Sequence, residues 1–285
     1  RNAEEQHRIE RLHAACAQML VARYAPGTPG VAARTGRHWL LAGEADLALE
    51  PLRRGANECL GGSEYSLAHE LLDEHIRALG AMPATPSDPR WGQNWVLRAR
   101  LLTLRGRFED ATGWSERAIA GAEQHGWRKG LPDALFARAR AASECGDHAL
   151  AQQRFARAQQ LYEDQQDERG AGRALVGRGD AAFRTGDLSN ARGYLERGKN
   201  ILEIVVDPTG EGHALLALGH TALTEGRADE AQGFFHRLLE MQEEVGNRFL
   251  LARAIGALGE LARARGKLDD AEEQYRRALE IHESI

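Results

Sequence analysis

The chain has 285 residues, of which 28% are charged and 6% are aromatic, and its formal net charge is −5. The negative charge argues against nucleic acid as a ligand, because nucleic-acid-binding domains usually present a net basic face. An apolar run of about 18 residues is missing, so no membrane span is predicted. Three scattered cysteines fit reduced thiols in a cytoplasmic protein better than a disulfide framework.

Residues 1–42 are predicted to form an N-terminal helical adaptor. The segments Arg8–His13 and Arg37–Gly43 read RIERLH and RHWLLAG. They resemble the joint between a bacterial signal-transduction ATPase module and the helical repeats that follow it, in proteins that sometimes also carry a kinase domain. The resemblance implies a larger parent protein. A chain that opens at Arg1 without methionine is expected to be a piece of that longer protein.

Arg8 and His13 also match the loose Arg-x(4–6)-His spacing of a family of helical ribonucleases. In a chain with 37 basic residues and 11 histidines, such spacings arise by chance. A helical ribonuclease that uses Arg8 and His13 is therefore kept only as a remote alternative.

Residues 43–90 are predicted to hold degenerate helical repeats and a proline-rich break. Gly43–Ala48 and Ser63–Ala68 repeat a spacing from a turn residue to an alanine five positions later. The three prolines of residues 81–89 must interrupt a helix.

His69 and His75 are histidines whose spacing comes near to that of a helical metal site. They lie six residues apart, so they cannot share a metal on one helix face as residues four apart would. We expect exposed polar side chains here, and no metal site is predicted anywhere in the chain.

From residue 91 to residue 285 the sequence repeats with a period of 40, which predicts five units, the last of them truncated. Each unit has a glycine, an alanine five residues later and, in most units, a large apolar residue four positions further on. The glycines are Gly106, Gly146, Gly186, Gly226 and Gly266. The alanines are Ala111, Ala151, Ala191, Ala231 and Ala271, and the third position holds Ser115, Phe155, Leu195, Phe235 and Tyr275. Such a period marks a repeat protein whose units bury their apolar faces against one another.

This pattern resembles the tetratricopeptide repeat, whose signature combines Leu-Gly, a turn glycine, an alanine, an aromatic residue and a further alanine. The last unit shows it most fully, with Leu258, Gly259, Gly266, Ala271, Tyr275 and Ala278. The period exceeds the family's basic length of about 34 residues, which is expected to lengthen the helices. The resemblance implies an all-α fold, a right-handed α-solenoid of antiparallel helix pairs. Abundant alanine, leucine, glutamate and arginine also favour helix.

Tryptophans cluster early in the repeat region. Trp95 falls where the signature expects tryptophan and is predicted to lie in the core. Trp91 and Trp127 lie near unit boundaries and are candidates for exposure.

Arginine replaces the family's usual leucine in three units, at Arg98, Arg138 and Arg178. Each arginine must extend its head to water or pair with a carboxylate. Two interpretations stay open: a packed stem with a solvated head, or a basic ladder at a binding edge.

In tetratricopeptide arrays the first helix of each unit lines a concave groove that binds extended or helical peptides. The resemblance therefore implies candidate groove residues at 40-residue steps. They are Gln93, Val96 and Arg100; Asp133, Phe136 and Arg140; Arg173, Val176 and Asp180; His213, Leu216 and His220; and Arg253 with Glu260. These rows predict a groove with an apolar floor and with charges that change along its length. Such a groove could select a peptide by its charge pattern. The alternative is a solvated face that only keeps the array soluble.

The sequence thus predicts a non-catalytic protein–protein interaction scaffold, the sensor or regulatory region of a larger bacterial signalling protein. No catalytic residue and no cofactor is predicted. The expected partner is a protein or peptide ligand, or another domain of the parent chain, while the oligomeric state is left open. The first alternative is a regulatory fragment of an enzyme, a serine/threonine kinase or a signal-transduction ATPase. An array that only drives self-assembly is a further one.

Overall fold

The computed structural model describes residues 2–25, 27–83 and 85–284. These ranges contain fourteen α-helices and no β-strand. The helices are α1 (Asn2–Arg23), α2 (Val31–Leu41), α3 (Ala45–Gly61), α4 (Tyr65–Ala81), α5 (Pro89–Leu104), α6 (Phe108–His125), α7 (Gly130–Glu144), α8 (His148–Asp164), α9 (Glu168–Arg184), α10 (Leu188–Ile204), α11 (Pro208–Thr224), α12 (Ala228–Val245), α13 (Arg248–Ala264) and α14 (Leu268–Glu283). The predicted all-α class is confirmed.

Two compact units make up the chain, Arg1–Gly130 and Leu131–Ile285. In the first, α2 packs on α3, α3 on α4 and α5 on α6. In the second, α9 packs on α10, α11 on α12 and α13 on α14, and the first helices of successive pairs also touch. The helices are thus packed in consecutive pairs, as predicted. The finer division at residues 42 and 90 stays a prediction.

Glycine ends the first helix of each 40-residue unit. Gly186 has a φ of +83°, a left-handed conformation that costs a residue with a Cβ atom about 1 kcal/mol. The N–H of the next residue, Asp187, donates to the carbonyl of Ala182 at 3.0 Å, which closes the helix end. The same geometry recurs at the other period glycines, so the glycine row reflects a backbone requirement.

Small residues let the two helices of a pair approach closely. A Cβ atom added to Gly179 would lie 2.5 Å from Leu195 Cγ, and one added to Gly219 would overlap the Phe235 ring. Leu195 and Phe235 are fully buried. The repeating combination of a small and a large residue is therefore the packing contact between paired helices.

Trp127 was a candidate for exposure, but it is only 7% exposed. Its ring packs against Gly92 and Gly121, which have no side chain to displace it. The indole N–H donates to the carbonyl of Ser87 at 2.7 Å, so its polar atom is satisfied as well. The exposure expected for Trp127 was therefore wrong.

His75 was also expected at the surface, and it is only 1% exposed. The side-chain amide nitrogen of Asn94 lies 3.3 Å from His75 Nδ1 and donates to the carbonyl of Leu72 at 2.9 Å. Burial lowers the pKa of His75 to about 4, so the imidazole is neutral. His69 differs, because its side chain is 49% exposed, as expected.

Candidate functional site

Four first helices of the second unit carry most of the candidate groove residues. α9 contacts α11, and α11 contacts α13. The charges of Arg140 on α7 and of Asp180 on α9 act on Arg253 on α13, so these side chains lie near one another. We treat the side chains that the four helices contribute at 40-residue steps as one candidate surface. We call this surface the inner-helix face. Its candidate residues are Asp133, Phe136, Arg140, Arg173, Asp180, His213, His220, Arg253 and Glu260, and the candidates Val176 and Leu216 are buried on the same helices.

The candidate residues on α5 belong to the first unit. Gln93 is exposed, and Val96 is partly buried. Arg100 Nη1 donates to Asn57 Oδ1 at 2.8 Å and so reaches from α5 to α3. Arg100 thus has a polar partner within its own unit.

The predicted apolar row lies mostly below the surface. Val176 is 7% exposed and Leu216 is 3% exposed, and both belong to core clusters. Phe136 is partly buried, with its ring edge-on to Phe155 at a centroid distance of 5.2 Å. Val176 and Leu216 therefore support the inner-helix face from beneath, while Phe136 reaches it.

Two charged candidates are engaged by structural partners that the sequence did not reveal. Arg173 donates from Nε and Nη2 to the two carboxylate oxygens of Asp207, at 2.5 and 2.9 Å. Asp133 accepts a hydrogen bond from the hydroxyl of Tyr162 at 2.6 Å. Burial, together with the Asp133 charge, raises the pKa of Tyr162 far above its usual range. The first pair joins α9 to the N-terminal cap of α11, and the second joins α7 to α8.

Two further pairs lie on the same face. The side chain of Arg184 donates to Asp180 at 3.1 Å. His220 Nδ1 lies 3.3 Å from Glu260 Oε2, and it links α11 to α13. The hydrogen bond from His220 lowers the pKa of Glu260, against the opposing effect of burial. His213, on α11, is partly buried.

Arg253 differs from these residues because no described side chain forms an ion pair with it. It is partly buried, and no carboxylate oxygen among the described residues lies within 4.0 Å of its guanidinium. That group sits over the Phe249 ring, 5.9 Å from the centroid. Burial lowers the pKa of Arg253, and the charge of Arg140 lowers it further.

Glu144 and Arg184 also act on the charge of Arg253, and neither was among the predicted residues. They lie 40 residues apart and one helical turn beyond Arg140 and Asp180. A further row of candidate residues, one helical turn beyond the row of Arg140 and Asp180, would have included both.

The arginines that replace leucine are held by polar partners. Arg98 Nη2 donates to Asp73 at 2.5 Å, and its side chain is 12% exposed. Arg178 donates to Gln159 at 2.7 Å and to the Tyr194 hydroxyl at 2.8 Å. Arg138 is partly buried. The contacts of Arg98 and Arg178 favour the interpretation of packed side chains.

Arg8 and His13 do not share a face of α1. Five residues correspond to about 140° of rotation around a helix. Arg8 is exposed, whereas His13 Nδ1 lies 2.9 Å from His38 Nδ1 on α2. The structure therefore does not assemble the Arg8–His13 site of the ribonuclease alternative.

Within the described ranges, no three His, Cys, Asp or Glu side chains gather closely enough to hold a metal ion. None of the described helices is both long and apolar enough to span a bilayer.

Comparison with known proteins shows a repeat family in the last part of the chain and similar folds over most of it. Residues 211–284 match the model of the tetratricopeptide repeat. A Rap protein complexed with competence and sporulation factor has a TM-score of 0.66 and 12% identity, over 98% of this chain and 93% of that chain. A Rap conjugation gene regulator of plasmid pLS20, in complex with a Phr peptide, has a TM-score of 0.68 and 13% identity, over 96% and 83%.

A third structure is a signal-transduction ATPase with numerous domains and a tetratricopeptide repeat sensor, from Pyrococcus horikoshii. It has a TM-score of 0.66 and 14% identity, and the match covers 95% of this chain but 40% of that one. Identities this low show the fold alone. No curated protein matches the chain in sequence. Residues 211–284 thus match the tetratricopeptide repeat, and the consecutive helical pairs of the described residues form a tetratricopeptide-repeat-like fold.

Proposed function

We propose that the inner-helix face binds an extended peptide or protein segment, and that the chain is the sensor or regulatory region of a signalling protein. The observation that carries the proposal is the arrangement of this face. Partly exposed charged and aromatic side chains, Phe136 and Arg253 among them, lie above a buried apolar layer that contains Val176 and Leu216. Concave surfaces of helical arrays are common binding surfaces for such segments.

The spacing of the helices sets the length of the ligand. Packed helices lie about 8–10 Å apart, and an extended chain advances about 3.3 Å per residue. The three steps from α7 to α13 therefore match an extended peptide of roughly eight residues. The carboxylates of Asp180 and Glu260, with the imidazole of His220 beside them, would select among such peptides by their charge pattern.

The structural neighbours support binding and leave the ligand open. One Rap structure holds competence and sporulation factor, and another holds a Phr peptide. In the ATPase neighbour the tetratricopeptide repeats are described as a sensor. By analogy of fold, a bound peptide would be the signal that this chain passes to a catalytic or effector domain.

Selection from a library of random octapeptides on immobilised protein tests the proposal, followed by fluorescence polarisation with the selected peptides. Asp180→Lys and Glu260→Lys change the charge of the inner-helix face. Glu240→Lys makes the same change at an exposed position of α12 and serves as the control. We expect each of the first two variants to weaken binding at least about tenfold, and the control to leave it within about twofold. Equal effects of all three, or no selected peptide, would refute the proposal.

A further inference from the structure

The N-terminal helix α1 uses one of its faces to pack on α2. Ala17 and Leu20 are buried, and His13 Nδ1 lies 2.9 Å from His38 Nδ1 on α2. Positions 13, 17 and 20 are four and three residues apart, so their side chains share one side of the helix. This side is the one that α1 turns to the rest of its unit.

A second row of apolar residues lies about a quarter of a turn around α1 from that side. Its members are Ile9, Leu12, Cys16 and Met19, which follow one another at steps of three, four and three residues. Ile9 is 41% exposed, Leu12 59% and Met19 48%, while Cys16 is partly buried. We call these four residues the α1 apolar row. An apolar seam with this spacing is the kind that one helix presents to another.

Charged residues of opposite sign continue the α1 apolar row at its two ends. Glu5 lies four residues before Ile9, and Arg23 lies four residues after Met19. Both are exposed, and both lie on the same line along the helix as the row. From Glu5 to Arg23 the steps are thus four, three, four, three and four residues. This spacing is the same when it is read in either direction, so the row fits an inverted copy of itself.

We infer that two copies of the chain associate through the α1 apolar row, with their α1 helices antiparallel about a twofold axis. A twofold interface requires a surface that is complementary to itself, and this row meets the requirement. Ile9 would face the partner's Met19, and Leu12 would face the partner's Cys16. At each end of the row, Glu5 would face the partner's Arg23.

The charges decide the direction of the pairing. A parallel pair would bring Glu5 next to the partner's Glu5 and Arg23 next to the partner's Arg23, so that like charges repel at both ends. The antiparallel pair replaces both repulsions with attractions. The row has only four apolar layers, so the interface is small, and we expect a dissociation constant on the order of 10 μM. This association is separate from peptide binding, because the inner-helix face belongs to the second unit.

Sedimentation equilibrium of the full chain, from about 1 to about 200 μM, measures the association. Leu12→Glu places a charge in the centre of the row and should raise the dissociation constant at least about tenfold. Val21→Glu is the control, because Val21 is 63% exposed on the same helix but lies half a turn away from Leu12. It should change the constant less than about twofold. An unchanged protein that stays monomeric throughout, or equal weakening by both variants, would overturn the inference.

Disulfide crosslinking tests the antiparallel direction. Ile9→Cys and Met19→Cys are made separately in a protein that also carries Cys16→Ala and Cys145→Ser. Under mild oxidation the mixed proteins should form a covalent dimer, since positions 9 and 19 face each other. Either protein alone should form little, because its two cysteines would lie about 15 Å apart along the helices, too far for a disulfide. Covalent dimers of each protein alone would show a parallel pair, and no dimer in the mixture would exclude the row as the interface. Either result would overturn the inference.

Discussion

Arg173 and Asp207 join two successive repeats through paired hydrogen bonds of 2.5 and 2.9 Å. The same Asp207 carboxylate accepts from the N–H of Gly210 at 3.1 Å, and so it caps α11. Burial raises the pKa of Asp207, but the hydrogen bond and charge of Arg173 outweigh this effect and hold it below its ordinary value. A single side chain, 5% exposed, thus caps one helix and fixes it to its neighbour.

Asp207→Ala should be strongly destabilising. The variant loses the helix cap, worth about 1 kcal/mol, and also breaks the ion pair with Arg173, which adds about 1 kcal/mol because the Arg173 side chain is 41% exposed and can be hydrated. Asp167 is the matched control, because it caps α9 forty residues earlier, is exposed and accepts from Gly170 at 2.9 Å. Urea unfolding should give a loss of about 1 kcal/mol for Asp167→Ala and a clearly larger one for Asp207→Ala. Equal losses would show that the pair with Arg173 adds nothing.

His75 should make the protein less stable as the pH falls from about 6.5 to 4. An unfolded histidine takes up a proton near pH 6.5, whereas folded His75 does so only near 4. The unfolded state therefore binds more protons in this window, and stability falls by up to about 1.4 kcal/mol per pH unit. The free energy of unfolding, measured by urea denaturation at several pH values, should lose this component in His75→Gln. Identical pH profiles of the two proteins would contradict the assignment.

Two glycines on helices should respond oppositely to alanine. An alanine at Gly219 would collide with the fully buried Phe235 ring, and overpacking of this kind costs about 1–3 kcal/mol. Gly233, on the outer helix α12, has open space around its Cα atom. Gly233→Ala should therefore gain up to about 1 kcal/mol from helix propensity. Thermal unfolding of both variants compares the two effects, and a stabilised Gly219→Ala would show that the helices are less closely packed than described.

Replacing Val206 with glycine should make the protein more stable. It has a φ of +53°, which a β-branched residue adopts only at a cost, and its side chain is 76% exposed. Val206→Gly should therefore stabilise the protein by about 1 kcal/mol, since little packing is lost. Val245→Gly, at the last residue of α12, is the control and should destabilise it. Equilibrium unfolding in urea measures both, and a destabilised Val206→Gly would refute the strained conformation.

The turn glycines could be predicted because every unit keeps the same residue where φ must be positive. The turn that connects one helix pair to the next also holds a residue with a positive φ every 40 positions. At these positions the chain has Gly126, Gln166, Val206 and Gly246. Two glycines in four do not form a visible row, so this requirement stayed hidden in the sequence.

Burial of single side chains was harder to predict than the helices. Trp127 is covered because Gly92 on α5 and Gly121 on α6 leave space for its ring. The spacing of these residues in the sequence does not show that the three meet in the fold. The same limit applies to the inner-helix face. The 40-residue step identified Arg173 and Arg253 as equivalent, yet only the structure shows that Asp207 pairs with one and that no described carboxylate pairs with the other.

Site-specific photo-crosslinking tests the central claim most directly. Benzoylphenylalanine replaces Phe136 on the inner-helix face in one protein and the exposed Arg197 on the outer helix α10 in another. Each is irradiated with a peptide selected for binding. We expect a peptide adduct at position 136 and none at position 197. An adduct at position 197 alone would place the ligand on the second helices of the pairs and refute peptide binding by the inner-helix face.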